Sequence, residues 1–173
     1  MIEIPRDKDW ELETDWLLLL PMFPSDAEAL FELLKEPALY SFTGGAPPSS
    51  VHGLKERLHS WERRRSPDGE EVWLNWTLRL KGTETVVGYV QASIKERSAD
   101  LAWVVGLPFQ GRGYATEASR KVAGWLTERL KINRLTANIH PKHAASQRVA
   151  KHVGLHPGSE VTTEGEEIWI RRF

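Results

Sequence analysis

The chain has 173 residues and no cysteine. That absence excludes a disulfide framework, a thiolate zinc site, an iron–sulfur cluster and a cysteine nucleophile. Charge of one sign is lacking too, since 23 basic side chains face 24 acidic ones for a net charge of −1. A general nucleic-acid binder shows a basic excess, so nucleic acid is not an expected partner. Long hydrophobic runs are missing: the longest, 16–23, contains Pro21 and falls far short of the roughly 20 residues of a membrane span. The first ten residues alternate charged and apolar, unlike a secretory signal. The expectation is a cytoplasmic protein without a membrane partner. Its length predicts a single domain over residues 1–173, large enough to bury a core without staples.

What is present alternates between two periods. Residues 16–20 form a short apolar run ended by Pro21, a first strand. Ser25 then offers an N-cap, and Ala27, Leu30, Phe31 and Leu34 recur at helical spacing up to Pro37. A Gly/Pro/Ser loop over 43–50 separates this helix from a second, carried by Val51, Leu54, Leu58 and Trp61. Arg63, Arg64 and Arg65 read as its solvated end, favoured by the helix dipole. Strict alternation over 72–80 predicts a strand with one apolar face. Runs 85–94 and 100–105 complete an antiparallel meander. A long helix follows to Leu130, then a strand over 134–140, a helix over 144–153 closed by Gly154, and a hairpin of 161–163 with 167–173. The fold class is α+β around one sheet.

The most informative unit is the glycine turn Gln110-Gly-Arg-Gly-Tyr-Ala115, between a strand and a helix. Glycine lets a ligand approach the main chain. The first amides of a helix lack intrahelical partners, and the positive helix end favours anions. Phosphate or pyrophosphate is the matching ligand, with Arg112 as an added charge. The alternative is an ordinary turn that needs glycine only for shape. No Gly-Lys-Ser/Thr follows, so a P-loop is excluded. A dinucleotide fingerprint fits poorly, because Ala115 and Thr116 occupy the third-glycine region and the preceding strands read as antiparallel.

This turn resembles the Gln/Arg-x-x-Gly-x-Gly/Ala coenzyme A loop of the GNAT acyltransferase superfamily. Val104 and Val105 match the strand before that loop. Tyr114-Ala-Thr-Glu-Ala118 resembles the helix start of the branch that includes ribosomal-protein N-terminal acetyltransferases. Pro141-Lys-His-Ala-Ala-Ser146 with 149–154 is similar to that branch's second motif. The close match covers roughly residues 99–155, and element order agrees beyond it.

The resemblance implies an acetyl-CoA-dependent N-acetyltransferase, acting on a primary amine by direct transfer in a ternary complex. It implies a mixed, mostly antiparallel sheet flanked by about four helices. Strands 100–105 and 134–140 are its central splayed parallel pair, joined by a right-handed crossover. Cofactor-binding positions carried over are Val104, Val105, Gln110, Gly111, Arg112, Gly113, Tyr114, Ala115 and His143. Main-chain groups near Val105 would hold the pantetheine arm and polarise the thioester carbonyl. A non-catalytic acyl-CoA-binding or sensing domain, and a transferase for a longer acyl group, stay open. So does a homodimer.

An attacking amine must be neutral, so a base is needed. Asp100 sits where the branch often carries a glutamate, and is either a buried carboxylate beside the thioester or a strand-end aspartate facing solvent or the turn at Ser98. Ser146 matches the motif serine, which either serves the departing thiolate or satisfies helix-end amides. His143 replaces the usual asparagine, with a cofactor contact, a titrating acid and plain exposure all open. Ala150 stands where many members place a tyrosine acid, and Leu155 where phenylalanine is usual. Glu117 reads as compensation of the helix dipole. Trp73, Asn75 and Gln91, with Thr77 and Ser93, are the expected acceptor-cleft residues. The acceptor itself is an amine on a small molecule or a protein N-terminus. No histidine pair has metal spacing, so no metal is expected. Most of the eight tryptophans should be core or cleft walls.

Overall fold

The period-two runs become strands of a single eight-stranded sheet in the computed structural model, which describes residues 3–173. In chain order these are β1 (Leu12–Glu13), β2 (Leu17–Pro21), β3 (Val72–Leu80), β4 (Val86–Lys95), β5 (Ser98–Val105), β6 (Arg134–Ile139), β7 (His156–Val161) and β8 (Glu167–Arg172). Helices α1 (Ala27–Leu34) and α2 (Val51–Trp61) precede β3, α3 (Tyr114–Arg129) links β5 to β6, and α4 (Ala144–Val153) follows β6. The strand order is β1-β2-β3-β4-β5-β6-β8-β7. Every pair is antiparallel except β5 with β6. That parallel pair is joined only over Ser98–Asp100 with Arg134–Thr136, and beyond Asp100 the two strands part.

Two apolar clusters hold the sheet from either side. On one face Leu74, Trp76, Val90 and Leu101 meet Val122, Leu126 and Val153 of α3 and α4. Trp76 anchors this cluster: its ring stands edge-on to Trp10 at 4.9 Å, and its Nε1 donates to Trp10 O at 2.8 Å. On the other face α1 and α2 bury Leu30, Leu34, Leu54 and Leu58, with Tyr89 and Val104 packed against them. The sheet is therefore covered on both sides, and the polar alternates of β3 are not solvated as a one-sided strand requires. Asn75 is only 3% exposed and Thr77 fully buried.

Two readings of the sequence are corrected. β1 and most of β7 carry no strand pattern. β7 includes Pro157 and Gly158, tolerated because it is a sheet edge paired to β8 alone. Arg64 is not a solvated helix end: α2 stops at Trp61, and the guanidinium, 5% exposed, donates to Met22 O at 3.1 Å. It lies 5.0 and 5.2 Å from the ring centres of Trp10 and Phe23. Most tryptophans are buried or partly buried as expected, with Trp16 the exposed exception.

Gly88 permits the closest approach in the sheet. A Cβ there would lie 2.0 Å from Val104 O and 2.9 Å from Val105 Cα. Gly88→Ala must push β5 away from β4 where the parted edge begins. We expect it to destabilise by about 2 kcal/mol or more, as overpacking does, lowering the melting temperature by several degrees. A wild-type melting temperature would show that the strands are not so close.

Candidate active site

The parting of β5 and β6 leaves main-chain groups without a partner strand. Gly106 N–H donates to Val87 O at 2.9 Å. Antiparallel alternation then turns the N–H and C=O of Val105 and Trp103 away from β4 and into the wedge. Gln110 satisfies one of them, its Nε2 donating to Val105 O at 2.9 Å. The N–H of Val105 stays directed into the opening.

One side of the wedge is a groove of about 790 Å³, running from Val104 and Val105 past the glycine turn to the start of α4. Gly111 and Gly113 take φ of 76° and 84°, in the left-handed region, and nothing lies within 4 Å of a Cβ built on either. The N–H groups of residues 111–116 donate to no backbone acceptor among the described residues, the first α3 bond coming from Glu117 N to Gly113 O. The Gln110 amide is engaged, donating to Leu107 O at 3.3 Å, so it leaves the expected set of free donors. Arg112 also departs from expectation: it is exposed, leans 3.5 Å from Pro108 O and is not on the groove wall. Lys142 and Arg148 supply the cations there instead, with His152 on the same wall. Their signal was weak, two residues spaced four apart on α4 and a lysine before it.

The other side is a cavity of about 190 Å³ beneath the segment between α1 and α2. Groove and cavity meet at Phe42, Trp103, Val104, His143 and Ser146. Ser146 occupies that junction, and its hydroxyl has no hydrogen bond among the described residues, so the helix-end use of this serine is not realised. His143 is half-buried, stacked on Phe42 at 4.9 Å. Burial, and then neighbouring His140, hold its pKa below the usual imidazole range, so it is neutral at pH 7. Glu166, from the turn between β7 and β8, also lines the cavity. Burial first, then the charges of Glu164 and Asp100, push its pKa up against His140. Sequence reading took this residue as part of a hairpin turn, and only the three-dimensional return of β8 beside β6 brings it here.

The remaining predicted residues share the sheet face below the cavity without lining it. Asp100 is largely buried, and Thr136 Oγ1 donates to its Oδ1 at 2.6 Å. Burial raises its pKa, Thr136 opposes that, and Glu71 adds to it. Gln91 Nε2 donates to Asn75 Oδ1 at 2.8 Å, and Trp73 Nε1 to Glu71 Oε2 at 2.8 Å. These three are engaged with protein partners rather than presented to an acceptor. Glu117 accepts from Trp16 N–H at 3.0 Å, tying α3 to the start of β2. Among the described residues no group of three or more metal-ligating side chains forms, and no helix is long and apolar enough to cross a membrane.

The model of the acetyltransferase (GNAT) domain family matches residues 17–156. The chain belongs to that family. Probable N-acetyltransferase YjcK of Bacillus subtilis is 26% identical over 110 residues, 62% of this chain and 60% of that protein. The match thus spans under two thirds of that relative's length. In fold, the ribosomal-protein-S5-alanine acetyltransferase from Vibrio fischeri superposes with a TM-score of 0.75 at 15% identity, over 94% of this chain and 96% of the other. The aminoglycoside acetyltransferase AAC(6')-Ib in complex with coenzyme A gives 0.74 at 16%, over 90% and 94%. At such identity these likenesses concern the fold. The groove of this GNAT chain suits acetyl-CoA on its own features: unpaired amides, glycines with open space above them, and two cations at the α4 end.

Asp100 makes a stability prediction. Its folded pKa is raised, so its contribution is fully present below the unfolded value, about 3.9, and is lost as pH rises through the folded value. Asp100→Asn keeps the acceptor for Thr136 and removes the buried charge. The melting temperature should rise at pH 7 and converge on wild type below about pH 4. A variant less stable at pH 7 would show that the carboxylate is favourably held.

Proposed function

We propose that this chain moves the acetyl group of acetyl-CoA directly to a primary amine, both bound at once across the wedge. The observation that carries the reading is the meeting of groove and cavity at Ser146, with free amides on one side and a carboxylate of raised pKa on the other. A single domain over residues 1–173 and a cytoplasmic setting belong to the same proposal, as does an acceptor that is a small molecule or a protein N-terminus.

The cosubstrate supplies an acetyl group activated as a thioester. The amides of residues 111–116, at the positive end of α3, suit its pyrophosphate, with Val104, Tyr114 and Ala115 forming the wall beside it. Lys142 and Arg148 add positive charge. This local supply explains how a chain of balanced net charge serves a polyanion. Val105 N–H is a fixed donor where carbonyl charge would develop, an oxyanion-type contribution.

Proton movement falls to two side chains. Glu166 lies in the cavity where an amine would enter, and its raised pKa brings it toward the range suited to a general base. Asp100 sits beneath as a charge that keeps that pKa up, so the base moves from the residue first expected to its neighbour. Ser146 stands at the junction as the proton donor on the departing side. Neutral His143, stacked on Phe42, walls that junction. The cavity of about 190 Å³ admits the amine-bearing end of an acceptor rather than a whole oligosaccharide or protein.

The test is release of free CoA from acetyl-CoA over a panel of primary amines. CoA-dependent thermal stabilisation without turnover across a broad panel would instead make this a binding domain. Glu166→Gln should lower kcat by about a hundredfold or more, as loss of a general base does. Wild-type kcat should fall as pH drops through the raised pKa of Glu166. Asp100→Asn should carry that acid limb to lower pH, and an unmoved limb in both variants would remove Glu166 from the role. Ser146→Ala should cost less, about tenfold, because a thiolate with a reference pKa of about 8.5 leaves without full protonation.

The groove makes a separate prediction. Gly113→Val forces a β-branched residue to φ of 84°, at about 1–2 kcal/mol of strain, and covers the free amides. CoA affinity measured by calorimetry should drop at least tenfold, and unaltered affinity would undo the loop assignment.

A further inference from the structure

Tyr89 is a polar side chain in the cavity that the reading above does not use. It lies on β4 opposite Val104 of β5 and Thr77 of β3, so its side chain shares the Val104 face. Its ring packs into the cluster under α1 and α2, and the residue lines the cavity with Glu166 and Ser146. The hydroxyl makes no hydrogen bond among the described residues. Tyr40, in the same cavity wall, differs: its hydroxyl donates to Leu34 O at 2.8 Å and is fully engaged. The ring is partly buried and the residue opens on the cavity, so its hydroxyl is placed to donate to a bound atom there.

The chemistry of the group narrows the atom. Burial pushes the Tyr89 pKa up to about 12, with Tyr40 adding to the shift and Arg57 opposing it. Tyr89 therefore stays neutral in any working buffer, and it is a poor acid for a thiolate whose reference pKa is about 8.5. The attacking nitrogen must keep its lone pair for the acetyl group, and an arriving ammonium is served by Glu166. The cavity wall thus carries both a carboxylate and a hydroxyl donor.

We propose that Tyr89 is a specificity-determining residue that seats the acceptor by donating to an oxygen the acceptor carries beside its amine. The proposal rests on the acetyltransferase reading and goes on to the acceptor's chemistry. An amine flanked by a carbonyl or carboxylate offers a partner to both groups, whereas a plain alkylamine leaves the hydroxyl unmet. Such a hydrogen bond forms equally in the ground and transition states, so it acts through KM.

The experiment compares wild type and Tyr89→Phe on a matched pair, phenylalaninamide and phenethylamine, with acetyl-CoA saturating. Wild type should prefer the amide in kcat/KM. Tyr89→Phe should raise the KM for the amide roughly two- to twelvefold, the worth of one neutral hydrogen bond, and leave that of phenethylamine unchanged. Its kcat and its CoA-induced thermal stabilisation should match wild type, which also shows that the variant is folded. An unchanged KM for the amide, or a collapse of kcat at constant KM, would overturn the assignment. Absence of wild-type turnover with every amine, CoA binding intact, would fail the acetyltransferase reading and Tyr89's role together. Wild-type turnover with an indifferent Tyr89→Phe would fail this proposal alone.

Discussion

The constraint on which the rest depends is a parallel ladder that closes for only three residues. Ser98–Asp100 pair with Arg134–Thr136, and then β6 continues against β8 while β5 continues against β4. Main-chain polar groups on a parted edge need partners from elsewhere. Gln110 reaches back to the carbonyl of Val105, and this contact also fixes the residue that opens the glycine turn. The N–H beside it is left facing the wedge. Cavity, groove and oriented amide thus arise from one interruption in strand pairing, with no separate device for each.

An opening of this kind persists only if both faces around it are held. Trp76 and its neighbours hold α3 and α4 to one face. The roof on the other face hangs on Asp26, a buried carboxylate just before α1. It accepts from Phe23 N–H at 2.9 Å, from Thr77 Oγ1 at 2.9 Å and from Arg79 at 2.5 Å. One side chain thus closes the turn after β2, just before α1, and ties it to β3. A buried ion pair with so many hydrogen bonds contributes more to placement than to net stability. Its placement sets where Tyr40 and Phe42 stand over the cavity, so the shape of the acceptor side depends on a group outside it.

Much of this was legible from residue pattern. The meander, the crossover helix and the turn at Gly111 and Gly113 are local features, each written in spacing or in glycine. The groove side of the wedge was legible for the same reason, since its free donors are consecutive amides. What escaped reading depends on return in space. Glu166 follows a turn glycine and carries no motif, and Arg64 looks like any helix-end arginine until Trp10 and Phe23 close on it. β7 was unreadable because an edge strand exposed on both faces has no alternation to show.

The acceptor side shows why residue type alone misleads there. Trp73, Asn75, Gln91 and Asp100 have the chemistry of a binding cleft, and they do lie on the expected face. Each is already engaged, Trp73 with Glu71, Asn75 with Gln91 and Asp100 with Thr136. Burial under two helices requires such pairing, because an unmet polar group there costs about 1–3 kcal/mol. Ser146 and Tyr89, at the opening with Glu166, have hydroxyls without a protein partner among the described residues. On a covered sheet face, then, a free polar atom is better evidence of a binding role than a suggestive residue type. A chain that pairs Asn75 with Gln91 while leaving the Tyr89 hydroxyl without a protein partner among the described residues separates the polar groups that hold the sheet face from those that open on the cavity.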